Sequence, residues 1–215
     1  MNKTVYILNG PPSSGKGVWG KILKGLLSVP IISVGDLLRE AQTQKLLSQD
    51  ISDAMNAGYL LESEPIWAFL QPALNNVNGQ SFILDGFPRR PEQVIKITEW
   101  AKENGYAIRY LNLEQSREKT SFRLNLRPKI ATGTNIMVRQ DDAPEAVIVR
   151  YNEFEKYTRY VADLFMANPP TDFVMITLNC DQIEYISKFL VDIFDNGRHD
   201  EQNRQIQEEL TNLIS

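Results

Sequence analysis

A glycine-bounded loop followed by a lysine is the segment of this sequence with the clearest chemical meaning. The loop reads GPPSSGK over residues 10–16, it follows an apolar run at 5–8, and residues 16–27 read as a helix. In the order strand, loop, lysine and helix, consecutive backbone N–H groups turn toward one point. The helix dipole and the lysine add positive charge at that point. The sequence therefore predicts a polyphosphate site of the P-loop type.

One position of the loop departs from the usual P-loop pattern. Gly10, Gly15 and Lys16 have the expected spacing, but Gly17 stands where a Ser or Thr usually contacts Mg²⁺. The alternative is an ordinary Gly/Pro turn in which Lys16 is a solvated residue at a helix start. The position of the loop directly after the first predicted strand favours phosphate binding.

Composition indicates a globular domain that binds a small molecule. The chain has 215 residues, is 42% hydrophobic and 23% charged, and carries a formal net charge of −4. Proteins that bind nucleic acid are more often basic, so we expect a small ligand held by a local basic cluster. Cys180 is the one cysteine, which excludes an internal disulfide and a cysteine-rich zinc site. No run approaches the roughly 20 apolar residues of a membrane span, so we expect a cytoplasmic protein.

Short apolar runs alternate with helical patterns along the chain. Alternating β and α elements predict an α/β fold, a doubly wound parallel sheet of five strands with helices on both faces. Ligands of such sheets lie beyond the C-terminal strand ends. The predicted strands span residues 3–9, 30–33, 81–85, 106–113 and 173–178.

Four further segments complete the predicted organisation. Residues 36–62 read as two short helices, and residues 128–138 read as a flap because they lack helical periodicity and contain turn formers. Residues 143–167 read as one helix that stops at Asn168-Pro169-Pro170. The tail after residue 196 has one apolar helical stripe, which indicates either packing on the core or a contact with a partner.

Several arginines and acids have the chemistry that phosphoryl transfer requires, because that reaction depends on aligned substrates and neutralised charge. Asp85 ends the third strand, where it could hold Mg²⁺ or its waters, or act as an ordinary turn residue. Asp141 and Asp142 precede a predicted helix and could cap it. His199 is the one histidine and lies in the polar tail, so a His-based triad is excluded. The candidate arginines are Arg39, Arg89, Arg123, Arg127, Arg139 and Arg150.

These residues resemble the motifs of adenylate kinases, within the nucleoside monophosphate kinases. The matching segments follow the family order between residues 3 and 195. They are GPPSSGKG at 10–17, SVGDLLR at 33–39, GYLL at 58–61, LDGFPRRPEQ at 84–93, RLNLR at 123–127 and RQDD at 139–142, with Arg150 after them.

The resemblance implies two nucleotide sites and a role for each matching residue. It assigns ATP binding to Gly10, Pro11, Pro12, Ser13, Ser14, Gly15, Lys16, Gly17, Val18, Arg123 and Arg127. It assigns AMP binding to Val34, Gly35, Arg39, Tyr59, Leu60, Leu61, Gly86, Phe87, Pro88, Arg89, Gln93, Arg139 and Arg150. It assigns catalysis to Lys16, Arg89, Arg127, Arg139, Arg150, Asp141 and Asp142, and support of hydrated Mg²⁺ to Asp85.

The resemblance also implies one kinase domain that converts ATP and AMP to two ADP with Mg²⁺ and without zinc. Its core comprises residues 1–32, 63–126 and 141–195, a monophosphate-binding lobe 33–62, a lid of intermediate length 127–140 and a C-terminal extension 196–215. Lid closure would exclude water from the transfer. We expect a monomer whose partners are ATP, AMP and ADP, with neither nucleic acid nor a membrane among them.

Three positions depart from the family pattern and leave alternatives open. Ser13 replaces a usual Gly, Val18 a usual Thr, and Val34 the Thr that is usual in adenylate kinases. Val34 keeps open a kinase for another nucleoside monophosphate, such as UMP, CMP or GMP. Ser13 and Val18 keep open a nucleotide-binding module without turnover. Gln93 favours AMP, since a side-chain amide can donate to and accept from the adenine edge at once.

Overall fold

The computed structural model describes residues 3–123 and 143–180, and within them strands and helices alternate along the chain. The strands are β1 Lys3–Asn9, β2 Ile31–Ser33, β3 Phe82–Asp85, β4 Tyr106–Glu114 and β5 Phe173–Asn179. The helices are α1 Lys16–Leu27, α2 Val34–Thr43, α3 Gln49–Asn56, α4 Ser63–Asn75, α5 Pro91–Glu103, α6 at 117–123, α7 Pro144–Lys156 and α8 Val161–Ala167.

All five strands pair in parallel in the order β2-β3-β1-β4-β5, which confirms the predicted sheet. The predicted boundaries are correct to within one residue at each end. The first and third strands are neighbours, with Leu8 opposite Asp85, and Ser33 of β2 is also opposite Asp85. The loops that follow β1, β2 and β3 therefore leave the sheet side by side, at its C-terminal edge.

Alternate strand residues supply two apolar cores, one on each face of the sheet. On β1, Val5 and Ile7 belong to one core and Leu8 to the other. The first core also takes residues from α2, α4, α5 and α8, whereas α1 packs into the second through Trp19 and Leu23. Helices thus cover both faces, as predicted for a doubly wound sheet.

Two short helices occupy the region between β2 and α4, as the sequence predicts. The first begins at Val34 because Ser33 caps it, its Oγ accepting from the Asp36 N–H at 3.3 Å. Ser48 caps α3 in the same way, accepting from the N–H of Ile51. The assignment of residues 33–62 to a separate lobe stays a prediction.

The prediction of one helix over residues 143–167 is wrong, because the helix is interrupted at Tyr157. That residue has φ −123°, a 3-10 turn follows at Thr158–Tyr160, and α8 begins at Val161. The break brings the buried Thr158 side chain to the loop after β3, where its hydroxyl donates to the Arg89 carbonyl at 3.1 Å. The helical periodicity of the sequence does not reveal this break, because the hydrogen bond that accompanies it joins residues far apart in the chain. The predicted flap and tail lie outside the described residues.

Among the helices of the described ranges, none combines the length and the apolar composition that crossing a membrane requires.

The turn before α4 lies against α7, and we predict that Gly58→Ala destabilises the protein. Gly58 has φ +86°, and a Cβ there would overlap the Ala146 carbonyl oxygen and lie 2.9 Å from Arg150 Cγ. Backbone strain and overpacking together should lower the free energy of unfolding by roughly 2–4 kcal/mol. Urea unfolding would measure the change.

Gly25→Ala is the matched control, because Gly25 is helical and nothing lies within 4 Å of the added carbon. That variant should gain about 0.5–1 kcal/mol, as glycine is a poor residue inside a helix. Equal stability of the two variants would contradict the packing described for Gly58.

Candidate functional site

The glycine-bounded loop leaves β1 under two local constraints. The Asn9 side chain accepts from the Gly10 N–H at 2.8 Å and donates to the Tyr110 hydroxyl on β4. Gly10 has φ +152°, and a Cβ on it would lie 2.7 Å from the Leu113 Cβ, so only glycine fits this approach to β4. The start of the loop is therefore fixed to the central strands of the sheet.

Lys16 begins α1 and folds back over the loop. Its Nζ donates to the carbonyls of Gly10 at 2.7 Å and Pro11 at 2.9 Å, which places the amine inside the loop. The pKa of Lys16 is lowered to about 7, mainly by withdrawal of the amine from water; Asp85 opposes this shift, and the positive charges of Arg89 and Arg150 add to it. Because of this lowered pKa, binding of an anion beside the Lys16 amine would favour its charged form.

Two serine hydroxyls lie in the loop with their hydrogen-bonding capacity unused. The Oγ atoms of Ser13 and Ser14 are buried, and neither has a partner within the part of the chain that the structure describes. Ser13 has φ +61°, so this serine adopts the left-handed conformation that favours glycine. Val18, at the other departure, is 40% exposed at the start of α1. The loop thus offers buried donors of the kind that phosphate oxygens accept.

The loop after β3 holds Arg89 by both of its backbone groups. The Arg89 N–H donates to Gln93 Oε1 at 2.7 Å, and its carbonyl accepts from Thr158. The guanidinium lies against Gly86, where φ is +84° and an added Cβ would be 3.1 Å from Nη2. Gln93 is 1% exposed, and its Nε2 has no partner among residues 3–123 and 143–180. The loop therefore holds a cation, and the first turn of α5 next to it holds a buried amide donor.

A second arginine follows β2 in a similar setting. The guanidinium of Arg39 packs on Gly35, with Nη2 placed 3.1 Å from where a Cβ would be, and it forms an ion pair with Asp36. Val34 is 4% exposed and belongs to the first core, together with the predicted AMP-binding residues Leu61 and Phe87. The side chain at this position presents methyl groups where the family usually has a hydroxyl.

Segment 59–61 lies next to both α7 and the loop after β3. The Leu60 N–H donates to Glu153 Oε2 at 3.1 Å, and the Leu60 carbonyl accepts from Arg90 Nη2 at 3.0 Å. Tyr59 is 54% exposed, and Leu61 is buried. Both backbone groups of Leu60 are therefore bound to the protein, whereas the prediction assigns them to the acceptor base along with those of Tyr59 and Leu61.

The structure brings three of the predicted site residues, Asp85, Arg89 and Arg150, within electrostatic range of a fourth, Lys16. The charges of Asp85, Arg89 and Arg150 all act on Lys16, although these residues come from different elements. Arg123 donates to the Gln115 side chain and, at 3.4 Å, to the Cys180 carbonyl at the end of β5. Four predicted residues lie outside the described ranges, namely Arg127, Arg139, Asp141 and Asp142.

Sequence reasoning missed four residues that support the site. Asn9, Arg90, Glu153 and Thr158 hold the loops in place, as described above. The sequence carries no periodic or motif signal for Asn9 or Thr158, because Tyr110 and Arg89, which they bond across the fold, are distant in the chain. The charged pair at 89–90 was a usable signal, since Pro91 begins α5 and fixes Arg90 at its N-cap.

Within the described ranges, no group of three or more His, Cys, Asp or Glu residues could hold a metal ion by itself. Asp85 stands at the strand end with Lys16 within electrostatic reach. One carboxylate at a phosphate site fits a hard cation that keeps most of its waters and takes further oxygens from a nucleotide.

Comparison with known proteins identifies the family. The model of the family described as adenylate kinase matches residues 8–169. An adenylate kinase of Chlamydia abortus (strain DSM 27085 / S26/3) is 30% identical over 184 residues, which is 77% of this chain and 86% of that protein. An adenylate kinase of Synechococcus sp. (strain JA-2-3B'a(2-13)) is 36% identical over 166 residues, 76% of this chain and 81% of that protein. The chain belongs to the adenylate kinase family.

Proposed function

We propose that this protein is an adenylate kinase, which reversibly transfers the terminal phosphoryl group of ATP to AMP and yields two ADP. The observation that carries the proposal is that Lys16 of the loop lies within electrostatic range of Arg89, Arg150 and Asp85, which come from different elements. One polyphosphate needs the loop and its lysine, whereas a second phosphate grip is useful only to an enzyme that binds two phosphorylated substrates.

The chemistry requires alignment and charge neutralisation more than covalent participation. A phosphate oxygen of AMP forms a bond to the γ-phosphorus as the bond from that phosphorus to the β–γ bridging oxygen breaks. The loop amides, the hydroxyls of Ser13 and Ser14, and Lys16 would hold the donor phosphates. Arg39 and Arg89 would hold the acceptor phosphate, and Arg150 would neutralise the group in transit.

The remaining roles follow from the family resemblance and stay part of the proposal. Arg123 and Arg127 would bind ATP, Arg139 would join Arg150 at the transferring group, and Asp141 and Asp142 would brace these arginines. Asp85 would hold Mg²⁺ through water, and the bound ion would neutralise charge on the ATP phosphates. We also propose a cytoplasmic monomer with a lobe at 33–62 and a lid at 127–140.

The acceptor base is the least constrained part of the proposal, because two observations point in different directions. The buried Gln93 amide, with an unused Nε2, suits the paired donor and acceptor groups of adenine. Val34 removes the usual hydroxyl and favours a second candidate, a kinase for another nucleoside monophosphate.

A coupled assay with AMP, GMP, CMP, UMP and their deoxy forms, each with Mg-ATP, distinguishes these candidates. We expect AMP to give the highest kcat/KM. Strong turnover of CMP or UMP with negligible turnover of AMP would establish the second candidate. Tight ATP binding without transfer to any acceptor would instead indicate a binding module.

We predict that Lys16→Ala and Arg89→Ala each lower kcat on the order of 10²-fold or more, as expected for loss of a preorganised electrostatic contact. Matched controls are Lys21→Ala, an exposed lysine on the same helix, and Arg159→Ala, whose guanidinium pairs with Glu155 at 2.9 Å. Both controls should keep wild-type kcat. A site variant within threefold of wild type would remove that residue from the mechanism.

The lowered pKa of Lys16 predicts that ATP binding takes up a proton above neutral pH. Phosphate bound at the amine raises the pKa of about 7 toward the ordinary 10.5, so the bound state holds more protons between these values. ATP affinity should therefore fall as pH rises above 7. Calorimetric titration near pH 8 in two buffers of different ionisation enthalpy should show uptake approaching one proton per ATP. Uptake that persists in Lys16→Met, or proton release, would contradict the assignment.

A further inference from the structure

We propose that Arg90 is a positioning residue for the acceptor nucleotide, one that sets the placement of segment 59–61 relative to Arg89 and Gln93. The inference rests on the proposed function, because it concerns the acceptor site of the same reaction. It concerns a residue outside the predicted site, at a position next to the arginine assigned to the acceptor phosphate.

The Arg90 side chain is held between two elements that belong to different parts of the chain. Its Nη2 donates to the Leu60 carbonyl at 3.0 Å, and its guanidinium carbon lies 4.3 Å from the centre of the Tyr157 ring. Glu62 lies 3.8 Å away and is largely exposed, whereas the Arg90 side chain is only 12% exposed. The dominant contacts of the guanidinium are therefore one carbonyl and one ring.

These contacts act on groups that the acceptor would meet. Arg90 follows Arg89 directly, and its own carbonyl accepts from the Gln93 N–H at 3.1 Å, as the cap of α5. The backbone of Arg90 thus lies between the phosphate grip of the loop and the buried amide on α5, while its side chain reaches the segment predicted to receive the base. One residue ties the two halves of the acceptor site together.

Hydrogen bonds from neighbouring elements hold the two segments that Arg90 joins. Glu153 holds the other backbone group of Leu60, and Thr158 holds the Arg89 carbonyl, on the two sides of the Tyr157 break. The Nε of Arg90 is buried without a partner in the ranges that the structure describes. A buried donor left unpaired costs stability, and this cost offsets part of what the carbonyl and ring contacts of Arg90 contribute.

Arginine suits this position better than other residues. A planar guanidinium can donate to a carbonyl in its plane while its face stacks on an aromatic ring. The ammonium group of a lysine could contact the carbonyl or the ring, but it lacks the planar shape that orients both contacts at once. Methionine fills a similar volume and makes neither polar contact.

Steady-state kinetics of Arg90→Met, with AMP and ATP varied separately, test the inference. We expect the KM for AMP to rise about tenfold or more, the loss typical of one charged hydrogen bond, while the KM for ATP stays within about twofold. The preference for AMP over CMP, measured as a ratio of kcat/KM values, should fall as well. Arg90→Lys should recover part of both effects, since it can still donate to the Leu60 carbonyl.

Two controls separate positioning from folding. Arg159→Met removes an exposed arginine from the neighbouring turn and should leave both KM values unchanged. Tyr157→Leu removes the ring that Arg90 stacks on and should raise the KM for AMP selectively, whereas Tyr157→Phe should not. Thermal unfolding of each variant shows whether it is folded at the assay temperature, and Tyr157→Leu keeps the test decisive if Arg90→Met is not.

The outcomes distinguish this inference from the function on which it rests. Failure of the wild-type protein to phosphorylate AMP would overturn the proposed function. Turnover of AMP by the wild type, with KM values for AMP and ATP that rise equally or not at all in Arg90→Met and Tyr157→Leu, would overturn the role of Arg90 alone.

Discussion

The site depends on positive groups being held close together in spite of their mutual repulsion. Arg89 and Arg150 both lie within electrostatic range of Lys16, with Asp85 as the opposing charge that acts on the lysine. Like charges near a buried amine raise the energy of the empty protein, and a polyphosphate relieves that cost on binding. Before a ligand binds, the fold must hold these cations in place against their mutual repulsion.

The protein holds them through backbone anchors rather than through ion pairs alone. Lys16 donates to two carbonyls of its own loop, and both backbone groups of Arg89 are bonded, one to Gln93 and one to Thr158. Glycines at 10 and 86 let neighbouring groups approach where a Cβ would interfere. Neutral partners of this kind fix position without cancelling charge, so the cations remain available to phosphate.

The parallel sheet and the phosphate loop follow from local sequence, whereas the braces of the site do not. Short apolar runs rich in β-branched and aromatic residues predict the strands to within one residue, because helical patterns and turn formers separate these runs along the chain. The spacing of Gly10, Gly15 and Lys16 predicts the loop. Thr158 and Glu153 escaped prediction because each bonds a residue more than sixty positions away. The helix break at Tyr157 also escaped prediction, because no proline or glycine marks it in the sequence.

The weakened charge of Lys16 has a chemical consequence beyond ligand binding. An ε-amine with a pKa of about 7 carries an unshared electron pair in a large fraction of molecules at neutral pH, whereas an ordinary surface lysine does so in very few. Such an amine is a nucleophile. Acylating and carbonyl reagents small enough to enter the loop should therefore modify this side chain at neutral pH, and occupation of the loop by a nucleotide should shield it from them.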